Sequence, residues 1–324
     1  MDLSAPVVTP VGARTHWAVG GPPPAGASEV RAREGVIAYE AADMTVTVRA
    51  GTTFGALDAL LAEHGQEVAL DPRSPDATIG GILACGLSGI RRLRHGPLRD
   101  HVLEVRFVTG YGALVKGGGP TVKNVTGYDL PRLFVGSLGT LGMLMQATLR
   151  CRPRARVSRW FTVEDARAFH RPSCRLWDGT HEHVLLEGTE ADVESQSRGC
   201  TPLPVPPALA DGAHRGRVSV APGRIREFGH ALPSDVRWCA ELGVGTVHVA
   251  ADSAAALAAA RDVAHAHDGW MLREAGGAPD DDGYGRPFPN LALMRRIKNA
   301  FDPDGRCNPG RLPLGPSGET ERAR

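Results

Sequence analysis

The sequence predicts a two-domain protein that mixes strands with helices, and three observations carry that expectation. Its 324 residues exceed one typical domain and suffice for two, each with its own core. Residues 45–64 read as a strand, a Gly-Thr turn and a helix in succession. Beyond Arg152-Pro153-Arg154 the texture shifts to alanine, arginine and proline with weaker motifs, which marks a boundary. The expected domains are therefore 1–150, a second α/β domain over 151–289, a closing helix and turn over 290–313, and a disordered tail at 314–324.

Composition excludes several function classes. An apolar fraction of 42% and a charged fraction of 23% are those of a soluble globular chain. A net charge of +1 provides no field toward nucleic acid or anionic membrane. The aromatic content of 5% argues against a base-stacking platform. Six cysteines, at 85, 151, 174, 200, 239 and 307, form no CxxC pair. That excludes an iron–sulfur cluster or zinc knuckle held within this chain and fits a reducing compartment. No basic segment leads into an apolar run at the N-terminus, so no signal peptide is expected. No window approaches 18 consecutive apolar residues, so no membrane span is expected either. The expected location is the cytoplasm, with peripheral membrane attachment through partners left open.

Residues 7–15 enter the Gly/Pro-rich loop GGPPP at 20–24. A short strand running into a glycine turn is an approach suited to phosphate. Arg14 either partners a phosphate by charge-assisted hydrogen bonds or faces water. TVTVRA at 45–50 alternates as a strand. Thr52 or Thr53 then caps a helix over 54–64, with apolar positions 54, 57, 60 and 61 on one face and Gly65 at its end. His64, in its last turn, complements the helix dipole. DPRSPDATIGG at 71–81 sets two glycines after a rigid proline-containing loop. It is either a helix entry or a place where backbone closely approaches a flat or charged ligand. The basic run RRLRHGPLRD at 91–100 reads first as a solvated face, with attraction of a carboxylate, phosphates or an acidic partner as the alternative. Residues 101–116 form a hairpin turning at Gly110-Tyr111-Gly112 and ending in the glycines 117–119.

The chain is organised around residues 123–142, KNVTGYDLPRLFVGSLGTLG. Glycines at 136, 139 and 142 expose successive backbone N–H groups, a natural anion cradle. Residues 143–150 follow with the apolar, period-two character of a strand. Neither GxGxxG nor a P-loop is present. Further on, residues 243–249 read as a strand and 250–267 as an alanine-rich helix. His181 and His183 share a strand face, but no third ligand is identifiable, so no metal is expected. Residues 290–301 form an amphipathic helix with Leu291, Met294, Ile297, Lys298 and Phe301 on or near one stripe. It is stopped by Asp302-Pro303 and followed by the turn Asn308-Pro309-Gly310.

These motifs, in this order, resemble a known family. GYDLPRLFVGSLGTLG at 127–142 is similar to the GYDLxxLxxGSxGTLG signature of the FAD-binding domain shared by p-cresol methylhydroxylase, vanillyl-alcohol oxidase and the bacterial glycolate and D-lactate dehydrogenases. TIGG at 78–81 with GLSG at 86–89, and FDPDGRCNPGR at 301–311, resemble the flavin loop and the terminus of the same family. The family's PxGGGTK loop survives only as Pro10, Gly12 and Thr15. Lys-Asn-Val at 123–125, and leucine at 138 where the hydroxy-acid dehydrogenases usually carry glutamate, narrow the match. They point toward the small FAD-binding subunits of bacterial glycolate oxidases. The GDGNxH motif of the dehydrogenases is missing; only His248 corresponds.

The resemblance implies an α+β fold: a p-cresol methylhydroxylase-type FAD-binding domain of two subdomains, plus an α/β cap domain, with 290–313 folding back onto the FAD domain. It implies noncovalent FAD, since no histidine stands in an RxGGH context. Gly12 and Thr15 would face the pyrophosphate; Thr78, Ile79, Gly80, Gly81, Gly86, Ser88 and Gly89 the phosphates and flavin edge. Ser137, Gly139, Thr140, Leu141 and Met143 would face the adenosine, with Tyr128, Asp129 and Asn308 completing the site. The implied activity is oxidation of glycolate or another 2-hydroxy acid, electrons passing through FAD to a larger FAD-linked subunit and an iron–sulfur subunit. No catalytic base is identifiable. Three readings stay open: this FAD-bearing subunit, a self-sufficient 2-hydroxy-acid dehydrogenase, and a scaffold subunit that has lost FAD.

Overall fold

The computed structural model describes residues 5–119, 128–278 and 281–314. The Lys-Asn-Val motif at 123–125 and the tail from 315 onward lie outside them. The chain divides into two compact units. The first gathers Met1–Leu87, Leu98–Arg152 and Arg286–Arg324; the second gathers Ser88–Pro97 and Pro153–Gly285.

The first unit is built on a five-stranded sheet in the order Val36–Glu40, Thr45–Arg49, Met143–Arg150, Val102–Val108, Leu114–Gly118. All neighbours are antiparallel. Val46, Val48, Phe107, Ala147 and Leu149 point from one face into a core shared with Leu57 and Leu61 of the helix Phe54–Ala62. Thr53 is that helix's cap, its hydroxyl accepting from Ala56 N at 3.3 Å. The helix ends two residues earlier than the periodicity suggests, because Glu63 already caps it. His64 therefore lies beyond the last turn and packs edge-on against Tyr39, ring centroids 5.0 Å apart. The hairpin forms as expected, with Val108 opposite Leu114. Its second strand runs on through Gly117 and Gly118, since Val105 and Glu104 continue the ladder opposite them.

The C-terminal helix Leu291–Phe301 belongs to this first unit. Ile297 and Phe301 pack on its core, and Phe301 meets Phe107 at 5.7 Å and Phe134 at 5.9 Å between ring centroids. Leu314, placed in the expected tail, is buried, and its carbonyl accepts from Arg295 at 2.5 Å.

The second unit holds an eight-stranded antiparallel sheet, in the order Thr201–Leu203, Val157–Val163, Glu182–Gly188, Cys174–Trp177, Arg237–Glu241, Thr246–Ala251, His214–Ser219, Trp270–Ala275. The helix Ala254–Ala266, capped by Ser253, packs Leu257 and Ala260 into the core beside Val218 and Met271. Ser88–Pro97 is part of this unit, and the basic run finds its partners there. Arg91 pairs with Glu187 at 3.2 Å, Arg94 donates to the Glu187 carbonyl at 2.7 Å, and His95 lies 3.7 Å from the Glu187 carboxylate. Burial pushes that carboxyl up, but hydrogen bonds from His95 and Ser173 and the Arg91 charge outweigh it and hold it at about 2. These arginines form an ion cluster, not a solvated face. His248 is buried against Glu241 at 2.7 Å. His181 and His183 each lie 3.8 Å from Asp178; among the described residues no three ligating side chains could hold a metal.

Candidate functional site

Three loops and the C-terminal turn of the first unit enclose a cavity. Its walls are the 10–17 loop, the start of the helix Ile79–Cys85, the 137–144 stretch, and Asn308 with Arg311. The cavity is open to solvent, and the space within its walls and mouth together is about 850 Å³.

The first wall is a backbone cradle. Leu138 (φ +49°) and Gly139 (φ +70°) are both left-handed, a conformation that costs a non-glycine residue about 1 kcal/mol or more. Leu138 is held there from both sides: its N–H donates to Ala84 O at 2.9 Å, and its carbonyl accepts from Asn308 Nδ2 at 2.5 Å. Thr140 closes the turn by donating its hydroxyl to Ser137 O at 2.7 Å. Behind it sits Lys298, buried on the inward stripe of the C-terminal helix. Its three ammonium hydrogens have three acceptors: Thr140 O at 2.6 Å, Cys307 O at 2.9 Å, and the Asp302 carboxylate. Asp302, fully buried, in turn accepts from Arg306 N at 2.9 Å and Cys307 N at 2.7 Å. One ion pair thus ties the NPGR turn to the glycine-rich loop. In the sequence the clamp's one signal is a lysine on the apolar stripe of Leu291, Met294 and Ile297.

The second wall relies on side chains. Gly12 presses on the Thr78 hydroxyl so closely that a Cβ there would lie 2.2 Å from Oγ1. Thr78 caps Ile79–Cys85, accepting from Gly81 N at 3.2 Å. Arg14 occupies the left-handed region (φ +60°). Its guanidinium pairs with Glu29 and lies 4.8 Å from the Trp17 ring centroid, with Arg311 at 5.3 Å from that ring. Arg311 is buried and fixed by donation to Gly21 O at 2.8 Å and Trp17 O at 2.9 Å.

The cavity's chemistry suits a ligand that is both apolar and anionic. Two guanidiniums line it, with no carboxylate among the described lining residues. Ser137 Oγ and Asn308 Oδ1 are buried without a hydrogen-bond partner among the described residues. Such groups cost about 1–3 kcal/mol each until something satisfies them.

Of the residues expected to contact cofactor, Gly12, Thr15, Thr78, Gly80, Gly81, Ser137, Gly139, Met143 and Asn308 line this cavity. The others do not. Ile79 and Leu141 are core side chains, and Thr140 acts from behind the loop through its buried hydrogen bonds. Gly86 is the left-handed cap ending Ile79–Cys85. Ser88 and Gly89 belong to the second unit, where the Ser88 carbonyl accepts from Arg217 at 2.6 Å. Tyr128 is 90% exposed, and Asp129 caps the short helix Leu130–Phe134. Trp17 and Arg311 also line the cavity, beyond the residues expected to contact cofactor. A tryptophan beyond the loop carries no sequence signal, whereas the terminal Arg of NPGR was visible as part of a motif.

Comparison with known proteins agrees with this geometry. Residues 5–118 match the FAD binding domain family, and residues 285–312 match the C-terminal domain of the FAD linked oxidases. The chain is 42% identical over 132 residues to glycolate oxidase subunit GlcE of Escherichia coli, covering 40% of this chain and 38% of that one. It is 39% identical over 107 residues to a D-lactate dehydrogenase of Archaeoglobus fulgidus, covering 33% and 24%. With glycolate oxidase subunit GlcD of Bacillus subtilis the figures are 34% over 120 residues, covering 37% and 26%. The matches thus span under two fifths of each relative's length. The fold is that of alkyldihydroxyacetonephosphate synthase, with a TM-score of 0.67 over 94% of this chain and 71% of that one, at 14% identity. The FAD binding domain match lies on the cavity's first two loops and the FAD linked oxidase match on its C-terminal turn, so the stretches this chain shares with those two families are ones that build the cavity.

Proposed function

We propose that this chain is the FAD-binding subunit of a glycolate oxidase-type complex that oxidises a 2-hydroxy acid. In this reading FAD is held without a covalent bond, and a larger FAD-linked subunit and an iron–sulfur subunit complete the complex. The observation that carries it is the pair of orphaned polar atoms, Ser137 Oγ and Asn308 Oδ1, on a cavity with two guanidiniums and no carboxylate. The similarity to GlcE directs the reading to glycolate.

When bound, FAD supplies the two-electron chemistry, and the protein contributes position and electrostatics. The guanidiniums of Arg14 and Arg311 would face the cofactor's phosphates, because the N–H groups of Gly136, Ser137, Leu138 and Thr140 already donate to backbone carbonyls. Ser137 and Asn308 would supply hydrogen bonds to its polar edges, and Met143 and Leu144 apolar contact. Proton transfer is a different matter. Among the described lining residues the cavity offers His16 but no Asp or Glu; in this reading the general base for the hydroxyl proton belongs to a partner subunit.

The purified chain is expected to bind FAD, giving flavin absorption bands that stay oxidised when glycolate or D-lactate is added without oxygen. Acid precipitation should release the FAD into solution. Bands that bleach would show that the chain oxidises the acid itself, and bands absent even after FAD is supplied would overturn the flavoprotein reading.

A further inference from the structure

We propose that the face of the first unit's sheet opposite its core is a docking surface for an extended acidic segment of a partner protein. Arg49, Gln146 and Arg106 stand directly opposite one another on three neighbouring strands, and Lys116 continues the row on the fourth. Adjacent strands lie about 4.8 Å apart, so a line of cations crosses the sheet at right angles to its strands. Arg31 and Arg33 join it along a groove whose described lining contains four arginines and one carboxylate, Glu29. Glu29 already pairs with Arg14 and lies 3.8 Å from Arg31.

The fold does not require this concentration of charge. Like charges directly opposite in an antiparallel ladder are destabilising, yet Arg106 faces Lys116. A single carboxylate, Glu104, serves both, at 3.4 Å and 3.0 Å. Among the described residues the side chains of Arg33 and Arg49 have no ionic partner, while the chain's net charge is only +1. Cations are therefore gathered on this face at a cost that a bound anion would offset.

The geometry favours a peptide over nucleic acid. No aromatic side chain for base stacking is among the described lining residues. Leu114, 65% exposed, and Met145 provide apolar contacts between the charges. Arg49 and Arg106 are two strands apart, roughly 10 Å, or about three residues of extended chain. An acidic segment with carboxylates two to three residues apart and an apolar residue between them fits. This inference is independent of the substrate reading, because the groove and the cofactor cavity are separate.

The test is fluorescence anisotropy of the full chain with a labelled twelve-residue peptide of repeating Glu-Leu-Glu-Ser, run at several salt concentrations. Saturable binding that weakens steeply with salt is expected. R33E/R49E should weaken it by roughly tenfold or more, and R198E/R296E, which changes net charge equally at other exposed sites, should leave it intact. Thermal melts and FAD titration on both double variants serve as folding controls. No binding, or equal loss in both double variants, would overturn the proposal. So would tighter binding of a labelled DNA duplex, if R33E/R49E abolishes it.

Discussion

The two walls of the cofactor cavity reach left-handed backbone by opposite means. In the 136–142 loop the strain falls on Leu138 beside glycines, and hydrogen bonds to neighbouring backbone and to Asn308 hold it. In the 10–17 loop it falls on Arg14, held by an ion pair with Glu29 and by the Trp17 ring. The first wall is clamped from behind by buried charge, the second from the side by surface charge. A surface ion pair contributes about 0–1 kcal/mol, whereas breaking a buried one costs about 3–5 kcal/mol. The first wall is thus the rigid half of the site, and the second is the half able to adjust to a ligand.

The largest effect is expected from Lys298→Met. It removes one partner of a fully buried pair and frees the carbonyls of Thr140 and Cys307. Urea unfolding should show a loss of about 3–5 kcal/mol, along with weaker FAD binding as the cradle loosens. A change under 1 kcal/mol would mean that the clamp is not what fixes this wall.

A smaller and opposite pattern is expected from Ser137→Ala. Its hydroxyl is buried and unsatisfied, so the apoprotein should melt at the same temperature or higher. The FAD-bound form should lose about 0.5–1.5 kcal/mol of binding, which thermal melts with and without FAD would separate. Equal destabilisation of both forms would place the hydroxyl's role in folding instead of ligand contact.

The same contrast explains how much was legible in the sequence. Glycine spacing, TIGG and NPGR announced the cradle, because backbone constraints are written in residue types that few alternatives can replace. The hairpin and the strand Met143–Arg150 were visible from their alternation. The Lys298–Asp302 clamp was not, since its value lies in carbonyls more than 150 positions away in one case (Thr140). Arg91 and Arg94 read as a surface run because their partner Glu187 comes nearly a hundred residues later. Most of the second unit's eight strands were missed. They are short, and arginine and alanine within them blur the period-two signal that burial normally writes.

The central claim, that FAD occupies this cavity of the first unit, is tested most directly at Gly12. A Cβ there would meet the Thr78 hydroxyl that caps Ile79–Cys85, so Gly12→Ala forces the two loops apart at the point where they meet. The measurement is FAD affinity by flavin fluorescence titration of the wild-type and variant apoproteins, each first shown to be folded by its urea midpoint. At least a tenfold loss of affinity, about 1.4 kcal/mol, is predicted for the folded variant. A folded variant that binds FAD as tightly as the wild type would contradict the account.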